Sequence, residues 1–177
     1  MLPLGTQMPE FRLPNTEATL INSKELTPQK GYLVAFICNH CPFVIHIQDK
    51  MAEVFKKVQG LGIYACAINS NDVVNYPEDS PEKMKETHQK LGYSFDYLFD
   101  ESQEIAKQFD AACTPEFYLF DSQKKLVYRG QFDGSRPGND APITGEDLWS
   151  ASSQLALGNT ISQDQTPSLG CNIKWKH

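Results

Sequence analysis

The stretch from Tyr32 to Ile68 constrains the fold more than any other part of the chain. Tyr32-Leu33-Val34-Ala35-Phe36-Ile37 is a continuous apolar run after Gly31, the pattern of a fully buried strand. Cys38-Asn39-His40-Cys41 follows. Pro42 then opens a helix, because proline suits the first helical turn, where its missing N–H is not needed. Val44, Ile47, Met51, Val54, Phe55 and Val58 recur at helical spacing, with Asp49, Lys50, Glu53, Lys56 and Lys57 on the other faces. Gly60 and Gly62 end the helix, and Ile63-Tyr64-Ala65-Cys66-Ala67-Ile68 is the next buried strand. Two apolar strands joined through a helix make a parallel pair with a right-handed crossover.

The remaining elements are read from their punctuation. Asn71–Asp79 is a loop. Ser80 caps a helix with Pro81 at its first position, running to about Leu91. Asp96–Asp100 is a short strand and Ser102–Phe109 a short helix. Phe117–Phe120 is a strand that turns at Asp121–Lys124 and pairs back through Leu126–Phe132. Thr144, with Asp147 three residues on, reads as a capping box for a last helix ending near Leu157. This order predicts an α/β fold, a central mixed sheet with helices on both faces, over residues 1–157. Residues 158–177 form a polar C-terminal tail, expected to pack on the domain through Ile173 and Trp175.

Charge narrows the function. With Lys plus Arg at 16 and Asp plus Glu at 22, the net charge is −6 and no basic stripe stands out, which argues against nucleic acid or an anionic membrane as partner. No run approaches the roughly 18 apolar residues of a membrane helix. The N-terminus lacks the basic-then-apolar pattern of a secretory signal, so the expected location is the cytoplasm. Five cysteines, Cys38, Cys41, Cys66, Cys113 and Cys171, are too few and odd in number for a disulfide scaffold, and point to catalysis or metal binding.

The chemistry centres on Cys41. If Pro42 is the first helical residue, Cys41 is the N-cap, and its sulfur faces the unpaired N–H groups and partial positive charge of the first turn. Both favour the thiolate and lower the pKa from the free value of about 8.5. His40 adds to this when protonated. Cys38 is placed to resolve an intermediate on Cys41 as a Cys38–Cys41 disulfide. Cys66 reads as core, whereas Cys113 and Cys171 are alternative resolving thiols. Cys171 can fold back onto the domain or reach a second copy of the chain, the arrangement a homodimer would use.

Four stretches resemble the thioredoxin-fold superfamily and, within it, the peroxiredoxin-like branch that includes alkyl hydroperoxide reductases and thiol-specific antioxidants. They are Met8-Pro9-Glu10-Phe11-Arg12-Leu13-Pro14, Phe36-Ile37-Cys38-Asn39-His40-Cys41-Pro42, Cys113-Thr114-Pro115-Glu116-Phe117-Tyr118-Leu119-Phe120-Asp121 and Gly170-Cys171-Asn172-Ile173-Lys174-Trp175-Lys176. The resemblance covers nearly the whole chain. It implies a thioredoxin-like fold and places the reactive cysteine five residues beyond Phe36, at Cys41. It also implies a cis Thr114–Pro115 bond beside the sulfur, with the Thr114 backbone free to pair with an extended substrate. Val44 stands where thioredoxins keep their second cysteine, and Cys38 where peroxiredoxins have a threonine. The peroxiredoxin arginine near the start of the later strand is replaced by Pro115, leaving Arg129 and Arg136 as the nearby arginines.

The resemblance thus implies a thiol oxidoreductase that reduces peroxides or protein disulfides, with a reductant such as thioredoxin or glutathione and no cofactor. Cys41 and Cys38 are the expected catalytic pair, supported by His40, Pro42, Thr114 and Pro115. The competing expectation is a copper or zinc carrier in which Cys38 and Cys41 supply thiolates and a His or Cys171 completes the site.

Overall fold

Strand β3 (Gly31–Phe36) lies at the centre of a five-stranded sheet, between β4 (Ile63–Asn69), which is parallel to it, and β7 (Glu116–Asp121), which is antiparallel. The structure, a computed structural model, describes residues 1–177. Beyond β4 lies β5 (Asp96–Phe99), parallel, and beyond β7 lies β8 (Leu126–Gly130), antiparallel, giving the order β5-β4-β3-β7-β8. The sheet is therefore mixed, with the expected βαβ unit on one side and the hairpin on the other.

Alternation along the strands divides the core in two. Leu33, Ala35, Phe117 and Leu119 face helices α1 (Pro42–Gly60) and α4 (Glu146–Ala156). Met84 of α2 (Pro81–Leu91) joins the same core. Val34, Phe36, Tyr118 and Phe120 face the opposite way, against α3 (Glu104–Gln108) and the N-terminal segment. Helix α1 buries Val44, Ile47, Met51, Val54, Phe55 and Val58, the residues at helical spacing, and each such side chain contributes about 1.5–3 kcal/mol relative to exposure. Ser80 caps α2 as expected, its Oγ accepting the Lys83 N–H at 3.3 Å, and Gly92 ends it with φ +63°.

Three features differ from expectation. The N-terminal segment forms a hairpin, β1 (Arg12–Pro14) with β2 (Leu20–Asn22), in a stretch without a distinct strand pattern. Helix α4 begins at Gly145, φ +67°, rather than with a Thr144–Asp147 box. A side chain there would meet Phe132 at 2.6 Å and Val54 at 2.8 Å, so glycine is required by space as well as conformation. The buried Asp133 carboxylate accepts the Thr144 and Gly145 N–H groups, each at 2.7 Å, and Asp147 instead accepts from Gln131 at 2.6 Å. Third, the tail returns to the domain as a strand: β9 (Cys171–Asn172) pairs antiparallel with β6 (Cys113–Thr114). Ile173 is buried, whereas Trp175 stays exposed, so only the first of the two expected anchors is used.

Candidate functional site

The Cys38–Cys41 turn leaves the C-terminal end of β3 and is shaped by one buried carboxylate. Asp79, fully buried, accepts the Asn39 N–H at 2.8 Å, the His40 N–H at 3.3 Å, the His40 ring at Nδ1 at 2.5 Å and the Asn71 amide at 2.9 Å. Asn39 is held again through Glu78 O at 3.0 Å and the Tyr97 hydroxyl at 2.9 Å. His40 also stacks on Tyr76, with centroids 5.5 Å apart, so its ring is engaged by Asp79 and Tyr76. Asp79 and Asn71 lie in the stretch read from sequence as a plain loop.

Cys41 is the residue at the start of α1, with Pro42 at the first helical position, and its sulfur is completely buried. The N–H groups of Val44 and Ile45 close on the Cys41 carbonyl, at 3.0 and 2.9 Å, and none caps the sulfur. The expected hydrogen bonds from the first turn are thus absent. The thiolate is favoured by other donors. The Cys38 thiol contributes most, the Cys171 thiol and the Thr114 hydroxyl add to it, and together they outweigh burial and hold the Cys41 pKa at about 4. Val44 adds the smallest pull, consistent with its N–H being committed elsewhere.

The other thiols move the opposite way. Cys38, buried with its sulfur 3.6 Å from Thr114 Oγ1, is pushed far up by its bond to Cys41 and by desolvation. The shift favours the protonated thiol. Cys171 Sγ lies 2.7 Å from Cys41 Sγ, and burial together with the neighbouring thiolate pushes it up to about 11. Cys113 is pushed up to about 12, chiefly by burial and by Glu116, and its sulfur faces Pro115 O at 3.9 Å rather than Cys41. Cys66 is fully buried core.

The Thr114–Pro115 bond is cis and Thr114 O sits 3.3 Å from the Cys41 sulfur. Pairing of Thr114 with Cys171 carries the tail across this position. Gly170 makes the approach possible: a Cβ there would stand 2.0 Å from Thr114 O. Of the expected site residues, Cys41, Cys38, Thr114, Pro115 and Cys171 therefore converge. His40 faces Asp79, and Cys113 lies beside the cluster.

The profile of the AhpC/TSA family matches residues 4–129. The chain belongs to the AhpC/TSA family. This AhpC/TSA chain is also similar to an uncharacterized conserved protein from Geobacillus kaustophilus, 48% identical, TM-score 0.97, covering 99% of this chain and 94% of that one. A hypothetical protein from Sinorhizobium meliloti 1021 is 43% identical with TM-score 0.97, over 99% of this chain and 96% of that one. The thioredoxin domain of a thiol-disulfide oxidoreductase from Bacteroides vulgatus shares the fold at 13% identity, TM-score 0.68, over 88% of this chain and 99% of that one. No curated protein matches the chain. No helix of this AhpC/TSA protein is long and apolar enough to cross a membrane.

Neither arginine is aimed at the sulfur. Arg129 donates from Nε to Leu2 O, and Arg136 donates to Asp133 O at 2.9 Å, Ser135 O at 2.6 Å and the Gln131 amide oxygen at 2.6 Å. A metal is poorly served by the Cys41–Cys171 pair. Two thiolates on one zinc, at ~2.3 Å each, stand about 3.8 Å apart, whereas Cys41 and Cys171 are 2.7 Å apart. Cys38, His40 and Asp79 bring ligand atoms within 4.8 Å of one another. Both Asp79 oxygens, however, are already bonded to the turn and to Asn71.

Proposed function

We propose that this AhpC/TSA protein is a thiol-dependent redox enzyme that cycles between a Cys41/Cys171 dithiol and its disulfide, with a hydroperoxide as oxidant and a thiol such as thioredoxin or glutathione as reductant. The observation that carries this reading is the 2.7 Å contact between Cys41 and Cys171. On this reading Cys171, rather than Cys38, is the resolving thiol, and Cys38 is the donor that holds the thiolate.

The Cys41 thiolate attacks the distal oxygen of the hydroperoxide. A sulfur–oxygen bond forms, the oxygen–oxygen bond breaks, and the departing alkoxide takes a proton to leave as the alcohol. The Cys171 sulfur then attacks the Cys41 sulfenic acid, the thiol proton leaves with the hydroxyl as water, and the disulfide forms. Less than an ångström of movement separates 2.7 Å from the roughly 2.05 Å of a disulfide. The reductant supplies two electrons to regenerate the dithiol. A small oxidant suits the site because Cys41 is fully buried and the tail covers the edge of Thr114.

Titrating the reduced protein with hydrogen peroxide and mapping the peptides by mass tests the reading. One equivalent is expected to yield a Cys41–Cys171 disulfide, and Cys41→Ser to abolish it. A Cys38–Cys41 disulfide, or no oxidation before a large excess, would refute the assignment.

A further inference from the structure

A small cleft lies beside the thiol pair, with Phe43, His46, Pro115, Arg136, Ser168 and Leu169 in its walls. Its near side belongs to the site. Phe43 stands in the first turn of α1, and its main-chain N–H favours the Cys171 thiolate. Pro115 carries the cis bond, and Ser168 and Leu169 lead into Gly170 and Cys171. The far side carries a cation. Arg136 donates through Nη1 to Asp133 O at 2.9 Å and Ser135 O at 2.6 Å, and through Nη2 to the Gln131 amide oxygen at 2.6 Å. All three acceptors are uncharged. A guanidinium has five N–H groups, so the one on Nε and one on Nη2 are still to be used. The Arg136 charge is felt at Cys113, where it favours the thiolate. The Asp133 carboxylate is turned to other donors, the Ser135 N–H and hydroxyl at 2.8 and 2.5 Å and the Thr144 and Gly145 N–H groups at 2.7 Å. Because the Ser135 hydroxyl gives its hydrogen to Asp133, His46 Nε2 supplies the hydrogen of its 3.2 Å contact with Ser135 Oγ. The Ser168 hydroxyl and the Gln131 amide are likewise paired, with Gly130 O and Asp147. The wall thus holds its guanidinium in a fixed place, with N–H groups to offer an anion.

We propose that Arg136 seats the carboxylate of a low-molecular-mass thiol acid in this cleft, and that such a thiol is the reductant of the Cys41–Cys171 disulfide. This rests on that disulfide being the oxidised state of the proposed cycle. Cys41 is fully buried and Cys171 is partly exposed, so an incoming thiol meets the Cys171 sulfur first. The thiol, as its thiolate, attacks Cys171. A mixed disulfide forms there, the protein disulfide breaks, and the Cys41 sulfur leaves with the electron pair. Its pKa of about 4 makes Cys41 the better leaving group of the two. A second small thiolate attacks the small-molecule sulfur of the mixed disulfide, and Cys171 leaves and takes up a proton. Two thiol acids are thereby oxidised to one small disulfide, and the protein regains its dithiol. The apolar side chains of Phe43 and Leu169 suit the carbon chain between thiol and carboxylate. With a net charge of −6 the chain as a whole repels anions, so a preference for an acid has to come from a local cation.

The test starts from the full chain oxidised with one equivalent of hydrogen peroxide. The probes are 3-mercaptopropionate and 6-mercaptohexanoate, each compared with the mercapto-alcohol of the same length. Loss of the protein disulfide is followed by quenching with N-ethylmaleimide and weighing the product. Each rate is divided by that of the same thiol with 2-hydroxyethyl disulfide, which removes differences in thiolate fraction and nucleophilicity. At one or both lengths the acid is expected to be about tenfold faster than its alcohol, a factor within reach of one charge-assisted hydrogen bond. In Arg136→Gln that preference should disappear. Mixed disulfide trapped early should map to the Cys171 peptide. Equal normalised rates for acid and alcohol at both lengths in the wild-type chain would overturn the proposal and leave the Cys41–Cys171 cycle standing. So would a preference that survives in Arg136→Gln, or a mixed disulfide found on Cys41. Failure of the Cys41–Cys171 disulfide to form in the first step would overturn both readings.

Discussion

Replacing Cys38 by alanine isolates the interaction that does most to hold the Cys41 thiolate. Cys38 is buried with its sulfur 3.6 Å from Thr114 Oγ1, and its thiol is the largest single cause of the low Cys41 pKa. A hydrogen bond to a charged group is worth about 1.5–3 kcal/mol, and one pH unit corresponds to about 1.36 kcal/mol. The sign follows from which form the donor favours. Losing it disfavours the thiolate, so the midpoint of Cys41 reactivity should move up by about one to two pH units. Iodoacetamide labelling, followed on the Cys41 peptide by mass across pH, reads this directly. In the wild-type chain the rate should be flat through neutral pH and fall through about pH 4. In Cys38→Ala the fall should come at about pH 5–6, by the same arithmetic. Cys38→Ser keeps a hydroxyl donor and should restore the wild-type profile. An unmoved midpoint in Cys38→Ala, or a serine variant indistinguishable from alanine, would refute the assignment of Cys38 as donor.

Two further outcomes test the scaffold. Asp79→Ala leaves the part-buried N–H groups of Asn39 and His40 and the buried Asn71 amide without an acceptor, and should lower stability by about 3 kcal/mol in urea denaturation. Because Asn71 in turn accepts the Lys174 N–H, amide exchange at Lys174 should also accelerate. Gly31→Ala places a Cβ 2.2 Å from Phe120 O in the β3–β7 pair, and should cost about 1–3 kcal/mol with an unchanged denaturant slope.

The order of the core elements along the chain was legible because each carries its own period. The apolar run of β3, the spacing of α1, and the Ser80-Pro81 start of α2 are local signals, and the structure follows them. The junction of a buried strand and a proline-led helix likewise placed Cys41 at a helix start without reference to anything distant. The Gly145 start of α4 was hidden because the acceptor for its N–H groups is Asp133, twelve residues away, rather than a neighbouring side chain.

At the site, residue types and the placing of Cys41 at the head of α1 came from sequence alone, since they depend on one turn and the two elements flanking it. Which of the candidate thiols lies against it did not. Cys171 reaches Cys41 across 130 positions of chain, and no spacing rule connects them. Asp79 looks in sequence like a solvated acid in a loop. Its burial depends on donors from the Cys38–Cys41 turn and from Asn71 closing around it. Gly170 is ordinary until the tail is folded back, when its missing Cβ becomes the condition for the tail to meet Thr114. The sequence by itself determined which sulfur is set at the head of α1. Only the tertiary structure decided which thiol faces it, because that choice depends on the return path of the tail and on contacts made after the sheet has formed.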